Sequence, residues 1–233
     1  MKLLDYNSFI NQDRQKTQSV NEHLWSAIIH RSETGEERNE DLFCSTKKDI
    51  QRKIQEIIDR THPNEGDTID LNHLDVSRVE DMSSLFYDRM NHINFTDYNF
   101  NVSKWDVSNV KDMDHMFDGC KYFNCDLSNW DVSSVTNMGG MFEYCENFSS
   151  DLSGWDVSSV TDMGCMFECC KKFNSDLSNW KVSRVTNMAF MFKNCTNFNC
   201  DLSNWKVSRT STLDMFENCD RLKKLPEWYH SVL

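Results

Sequence analysis

Residues 130–155 read WDVSSVTNMGGMFEYCENFSSDLSGW, and residues 155–180 read WDVSSVTDMGCMFECCKKFNSDLSNW. Trp105, Trp130, Trp155, Trp180 and Trp205 stand 25 residues apart without slippage. Between them runs the pattern W-[DK]-V-S-x-V-[TK]-[DN]-M-x-x-M-F-x-x-C-x-x-F-[NS]-x-D-L-S-x. Self-similarity at a fixed period of this size marks a stacked repeat, in which each unit buries its apolar face against its neighbours. An earlier copy, LDVSRVEDMSSLF, begins at Leu74, which fills the Trp slot 31 residues before Trp105; six residues are therefore inserted, within Tyr87 to Tyr98. The last copy, WKVSRTSTLDMFENC, has lost one residue before Met215, as terminal capping repeats tend to do. About six units result.

Within a unit, Thr136 or Asn137 is a suitable N-cap, and Met138, Met141 and Phe142 follow at i, i+3, i+4. This spacing predicts a short helix with those three side chains on one face. Phe123, Cys125 and Leu127 alternate with polar residues, which predicts a brief strand near CDLS. Met82, Met113, Met138, Met163 and Met188 should form one inward ladder, and Met116, Met141, Met166, Met191 and Met215 a second. The phenylalanines from Phe86 to Phe216 should form a third. The expected fold is an α/β repeat solenoid, a right-handed coil of about six 25-residue units with short parallel strands and short helices. Strands stacked about 4.7–4.9 Å apart would make such a body roughly 25–30 Å long.

A net charge of −12 and a pI near 5.0 argue against a general nucleic-acid binder, which needs clustered positive charge. Two prolines and seven glycines argue against a linker-dominated chain. The opening MKLLDYNSFINQDRQKTQSV lacks an apolar run of signal-peptide length, and no stretch approaches the roughly 18 apolar residues that span a bilayer. The expectation is a soluble, intracellular protein without a transmembrane segment. In that setting a disulfide scaffold of the ten cysteines is weakened as a reading, and the five that recur with the repeat are expected to stay reduced.

The strings W-D-V-S-x-V-T-[DN]-M-x-x-M-F and F-N-x-D-L-S-x-W resemble the BspA-like leucine-rich-repeat family, specifically its mycoplasma-type surface-protein repeat of about 25 residues. The resemblance runs from about Asp67 to Cys219. It implies a leucine-rich-repeat-like coil that serves as a binding scaffold, without catalysis, in surface or interaction proteins. Similar repeats occur in large DNA viruses and in intracellular proteins, so virion or surface association stays open.

The ends differ from the repeat. TKKDIQRKIQEIIDR, residues 46–60, places Ile50, Ile54, Ile57 and Ile58 on one helical face, with Thr46 and Asp49 at capping-box spacing. Such a helix should cover the open end of the first unit. NEHLWSAIIH predicts a further short helix, and RSETGEERNED a polar connector. RLKKLPEWYHSVL leaves the pattern, with Pro226 ending the last unit. The expected organisation is an N-terminal helical segment and cap over 1–66, the repeats over 67–219, and a C-terminal cap over 220–233.

Candidate chemistry is sparse. Cys120, Cys145, Cys170, Cys195 and Cys219 recur with the repeat, and a buried thiol ladder is the main reading. Disulfides between units and zinc are the alternatives, the latter through Cys165, Cys169 and Cys170 or the C-x4-C pairs Cys120/Cys125 and Cys195/Cys200. None has the paired C-x2-C spacing of a structural zinc site. The seven histidines share no slot of the repeat and read as incidental. Asp126, Asp151, Asp176 and Asp201 read as turn caps rather than calcium ligands, because each unit offers a single acid in that slot. The Trp slots are read either as core or as residues lining a binding surface. No catalytic residues, cofactor or metal site is expected, and no phosphate loop, G-x-S-x-G or H-E-x-x-H is present.

Differences between copies say more. The slot after Trp reads Asp106, Asp131 and Asp156, then Lys181 and Lys206; three residues on come Asn109, Ser134 and Ser159, then Arg184 and Arg209. Stacking equivalent slots would turn one face basic, making Lys181, Arg184, Lys206 and Arg209 a candidate binding face. The expected function is a non-enzymatic scaffold for protein–protein interaction. A structural component of a larger assembly such as a virion or envelope, or a cysteine-based metal or redox-responsive protein, are the alternatives.

Overall fold

The computed structural model describes residues 42–88 and 93–231. The chain divides into two compact units, Met1–Phe43 and Cys44–Leu233. The segment NEHLWSAIIH, expected to be helical, lies outside the described residues, as does part of the insertion before Trp105.

In the second unit, α1 spans Lys47–Thr61 and starts where the capping box places it. The Thr46 side chain accepts the Asp49 amide, and the Asp49 carboxylate accepts the Thr46 amide at 2.9 Å. Ile50 and Ile54 are fully buried, and Ile57 and Ile58 pack partly buried against the same core. Four short strands follow: β1 (Thr68–Asp70), β2 (Tyr87–Asp88), β3 (Ile93–Asn94) and β4 (Asn99–Asn101). β1 pairs in parallel with β4, in register Ile69 to Phe100, while β2 and β3 form an antiparallel pair at the insertion. A short α2, Glu227–Ser231, comes last.

Between β4 and α2 the repeat forms turns rather than the expected helix and strand. Adjacent units pair through single parallel bridges in the slot before the first Met: Asp81 to Asp112, then Asn137, Asp162, Asn187 and Ser211. The side chain in that slot accepts the amide two residues on, as Asn137 Oδ1 does from Gly139 at 3.0 Å. From there the amides take turns. Met138, Gly140, Phe142 and Tyr144 donate forward to Asp162, Gly164, Met166 and Glu168 of the next unit. Met141, Glu143 and Cys145 donate to the carbonyl three residues back. Two left-handed residues per unit enforce this alternation: Gly140 (φ 58°) and Tyr144 (φ 57°), matched by Cys165 and Cys169 (φ 56° and 62°) and by Phe190 and Asn194 (both φ 60°). A left-handed residue every fourth position stops i→i+4 bonding, which is why the Met–Met–Phe spacing does not become a helix.

The strand expected near CDLS is absent for a related reason. The Leu152 amide donates to Ser175 Oγ at 2.9 Å and the Leu177 amide to Cys200 Sγ at 3.2 Å. A side chain of the next unit thus takes the place of a ladder carbonyl. Cys125 does the same for Val102, and Ser150 for Leu127.

The same-face expectation holds in the core. The ten ladder methionines, with Leu85 standing beside them in the first copy, are fully buried. Phe117, Phe142, Phe167 and Phe192 stack along the units with ring centroids 5.6–5.7 Å apart and planes within 8°. Each also meets a phenylalanine of its own unit, as Phe142 meets Phe148 at 4.1 Å. Offset stacking of this kind adds about 0.5–1.5 kcal/mol per pair beyond burial. The five tryptophans are 3–4 % exposed, so the core reading of that ladder is the correct one. Each indole is also tethered. Trp130, Trp155, Trp180 and Trp205 donate Nε1–H to the carbonyls of Val102, Leu127, Leu152 and Leu177, each three residues before the previous Trp of the ladder, at 2.8–3.0 Å.

The C-terminal residues leave the turns of the repeat for a helix after Pro226, yet they keep one of its slots. Trp228 stacks on Trp205 at 6.1 Å and donates to Leu202 O at 2.8 Å, so it is another rung of the same ladder. Buried Pro226 precedes α2 and hands the chain to it, the Tyr229 amide donating to Pro226 O at 3.1 Å.

Candidate functional site

With its apolar slots buried, a unit shows its neighbours' differences only on the outside. The turn after each Trp is built by a D-x-S triplet. Asp106, Asp131 and Asp156 accept the amides of Ser108, Ser133 and Ser158 at 3.0–3.1 Å. The Ser133 and Ser158 hydroxyls and amides hold Asp131 and Asp156 below the usual carboxylate range. Asp126, Asp151, Asp176 and Asp201 cap the second turn in the same way, each accepting a serine amide at 2.9 Å.

Lys181 and Lys206 occupy the first of these slots in the later units and have no oxygen with which to cap it. Lys181, Arg184, Lys206 and Arg209 are all exposed, and among the described residues none of them forms a salt bridge. The charge of Lys181 is felt by Asp156 of the preceding unit, whose carboxyl it helps to lower. The four side chains thus recur in two equivalent slots of adjacent units.

The thiols divide into two sets. Cys145, Cys170, Cys195 and Cys219 donate into the core, to Phe117, Phe142, Phe167 and Phe192 O at 2.8–3.0 Å. Burial pushes Cys145, Cys170 and Cys195 far above an ordinary thiol and Cys219 to about 12. Cys165 and Cys169 instead sit half-buried at left-handed positions, so the three cysteines that lie close in sequence do not converge. All ten cysteines are free.

One histidine is not incidental. His115 takes the left-handed slot (φ 51°) between Met113 and Met116. Its Nδ1 lies 2.8 Å from Asp114 Oδ2, and its Nε2 lies 3.5 Å from Glu143 Oε2 of the next unit. Asp114 and Glu143 raise the ring to about 10 against the opposing effect of burial. Ligand atoms of His115, Asp118 and Glu143 all lie within 4.8 Å of one another. The ring rests on Gly140, where an added Cβ would come within 2.5 Å of it, and Asp114 Oδ1 lies 2.8 Å from the Cβ position of Gly139. The sequence signal was the glycine pair under an Asp–His pair, one period apart.

A family described as "Mycoplasma protein of unknown function, DUF285" matches residues 55–158 and again 127–229. The chain belongs to the DUF285 family. The two DUF285 matches are offset by nearly three periods, and the second runs past Trp228, where the sequence pattern had faded. No curated protein and no solved structure matches the chain. No described helix of this DUF285 protein is long and apolar enough to cross a membrane.

Proposed function

We propose that this DUF285 protein is a non-enzymatic protein-binding scaffold. In this reading it is a right-handed, leucine-rich-repeat-like coil of about six units, related to the BspA-like repeats. Lys181, Arg184, Lys206 and Arg209 present a basic strip to an acidic protein surface. One observation carries the reading. In other units the slot of Lys181 and Lys206 holds an aspartate that caps a turn, so the lysines stand there at the expense of a local hydrogen bond. The fold has no need of them, which leaves contact with something outside the chain as their use.

Exposed charge pairs contribute about 0.2–1 kcal/mol each and act chiefly on association rate. The test is the double reversal Lys181→Glu with Arg184→Glu. Proteins captured from the native source by the wild-type chain are cross-linked and the contacts mapped. The purified partner is then followed by stopped flow at two salt concentrations. Contacts at these residues, with slower association of the variant at low salt and an unchanged melting temperature, support the reading. Unchanged association removes the strip, and self-assembly of the chain without a partner would favour a structural component of a larger assembly.

A further inference from the structure

We propose that His115, Asp118 and Glu143 bind one divalent transition-metal ion of the zinc class at the junction of two adjacent units. The three side chains supply one imidazole nitrogen and two carboxylates, a donor set suited to such an ion. Tetrahedral bonds of about 2.0–2.1 Å put neighbouring ligand atoms roughly 3.3 Å apart. His115 Nε2 and Glu143 Oε2 already stand at 3.5 Å, and Asp118 closes the triangle within 4.8 Å.

The outer arrangement fits as well. A ligating imidazole needs a partner on its other nitrogen to fix ring and tautomer, and Asp114 provides one at 2.8 Å from Nδ1. Asp114 and His115 sit over Gly139 and Gly140, where any larger residue would displace them. In the other units the His115 slot holds Ser84, Gly140, Cys165, Phe190 or Asp214, so the site exists once along the stack. The Glu143 side chain is 17 % exposed and that of His115 41 %, which shelters the site and leaves it open to water as a further ligand.

Titration of the full-length, metal-free protein with zinc by calorimetry tests this, alongside His115→Ala, Glu143→Gln, Asp114→Asn and Cys165→Ser. The expected result is one saturable site in wild type and in Cys165→Ser. Asp114→Asn should bind 10–100-fold more weakly, the usual effect of losing an outer partner. His115→Ala and Glu143→Gln should lose at least as much while keeping the wild-type circular dichroism. Cobalt bound at the site should show no thiolate charge-transfer band. Absence of saturable binding, equal binding by Glu143→Gln, or loss of binding in Cys165→Ser with a thiolate band would each overturn the proposal. Should Glu143→Gln unfold, the Asp114→Asn affinity and the cobalt spectrum still decide it.

Discussion

Gln51 of α1 donates Nε2–H to Leu85 O at 3.0 Å, and the bond fills a place that the stack leaves empty. In later units the equivalent carbonyl, that of Met116 or Met141, accepts the amide of Phe86 or Phe117 from the unit before. The first unit has no such predecessor. Lys47 does the same service for Ser83 O at 2.7 Å, one alternate carbonyl away. The helix thus covers the open end with specific donors as well as with Ile50 and Ile54.

Replacing Gln51 with Leu should therefore cost about 1–3 kcal/mol, because a buried carbonyl loses its donor. Urea unfolding at constant m-value measures it. The exposed neighbour Lys48→Ala should stay within about 0.5 kcal/mol. Equal effects of the two changes would show that the helix caps by apolar contact alone.

Trp155→Phe keeps an aromatic ring in the core but removes the donor to Leu127 O, now 3.0 Å away. A loss of about 1–3 kcal/mol from the orphaned carbonyl is expected, added to the cost of the smaller ring. Thermal unfolding that barely moves would mean the tether is incidental to the stack.

Lys181→Asp should stabilise the chain by about 0.5–2 kcal/mol, because the new carboxylate can accept the Ser183 amide as Asp156 accepts that of Ser158. The same change should slow association with an acidic partner. A variant that is less stable than wild type would contradict the capping role of the slot.

The buried thiols predict an alkaline limit. Cys145, Cys170 and Cys195 have native values raised by burial above the ordinary 9.0, and Cys219 about 12. Below pH 9 the thiols are protonated in both states and no penalty arises. Above it, only the unfolded chain ionises, so stability should fall with rising pH by about 1.4 kcal/mol per pH unit for each thiol. Denaturation midpoints measured from pH 8 to 10.5 should drop steeply, and Cys170→Ala should soften the slope. A flat profile across that range would argue that the thiols are not sequestered.

The sequence revealed what repeats and concealed what occurs once. The Trp, Met, Phe and Cys slots were legible because every unit buries the same atoms, and α1 because its capping box and isoleucines act within one helix. Turns replaced the predicted helix because Tyr144, Cys169 and Phe190 carry no residue-type signal for left-handed backbone, and the stacking imposes it. The strand predicted near CDLS does not form because Ser175 and Cys200 stand in for backbone acceptors, and a serine does not advertise that role. Trp228 escaped notice because the shortened final copy brings it to the ladder out of period. His115 gives no such repeating signal: it and Gly140 each occur once in their slot, Glu143 shares its slot with other acids, and their complementarity appears only when the units stack.

The forward-pointing amides also give the molecule a sense of direction, like the two ends of a zip. From Met82 onward they aim at the following unit, and the carbonyls that receive them face back toward α1. At the other end Phe216 packs against Trp228 and Tyr229 of α2. Gln51 and Lys47 hold two of the carbonyls that such amides would otherwise meet at the first unit, so α1 closes that end of the ladder.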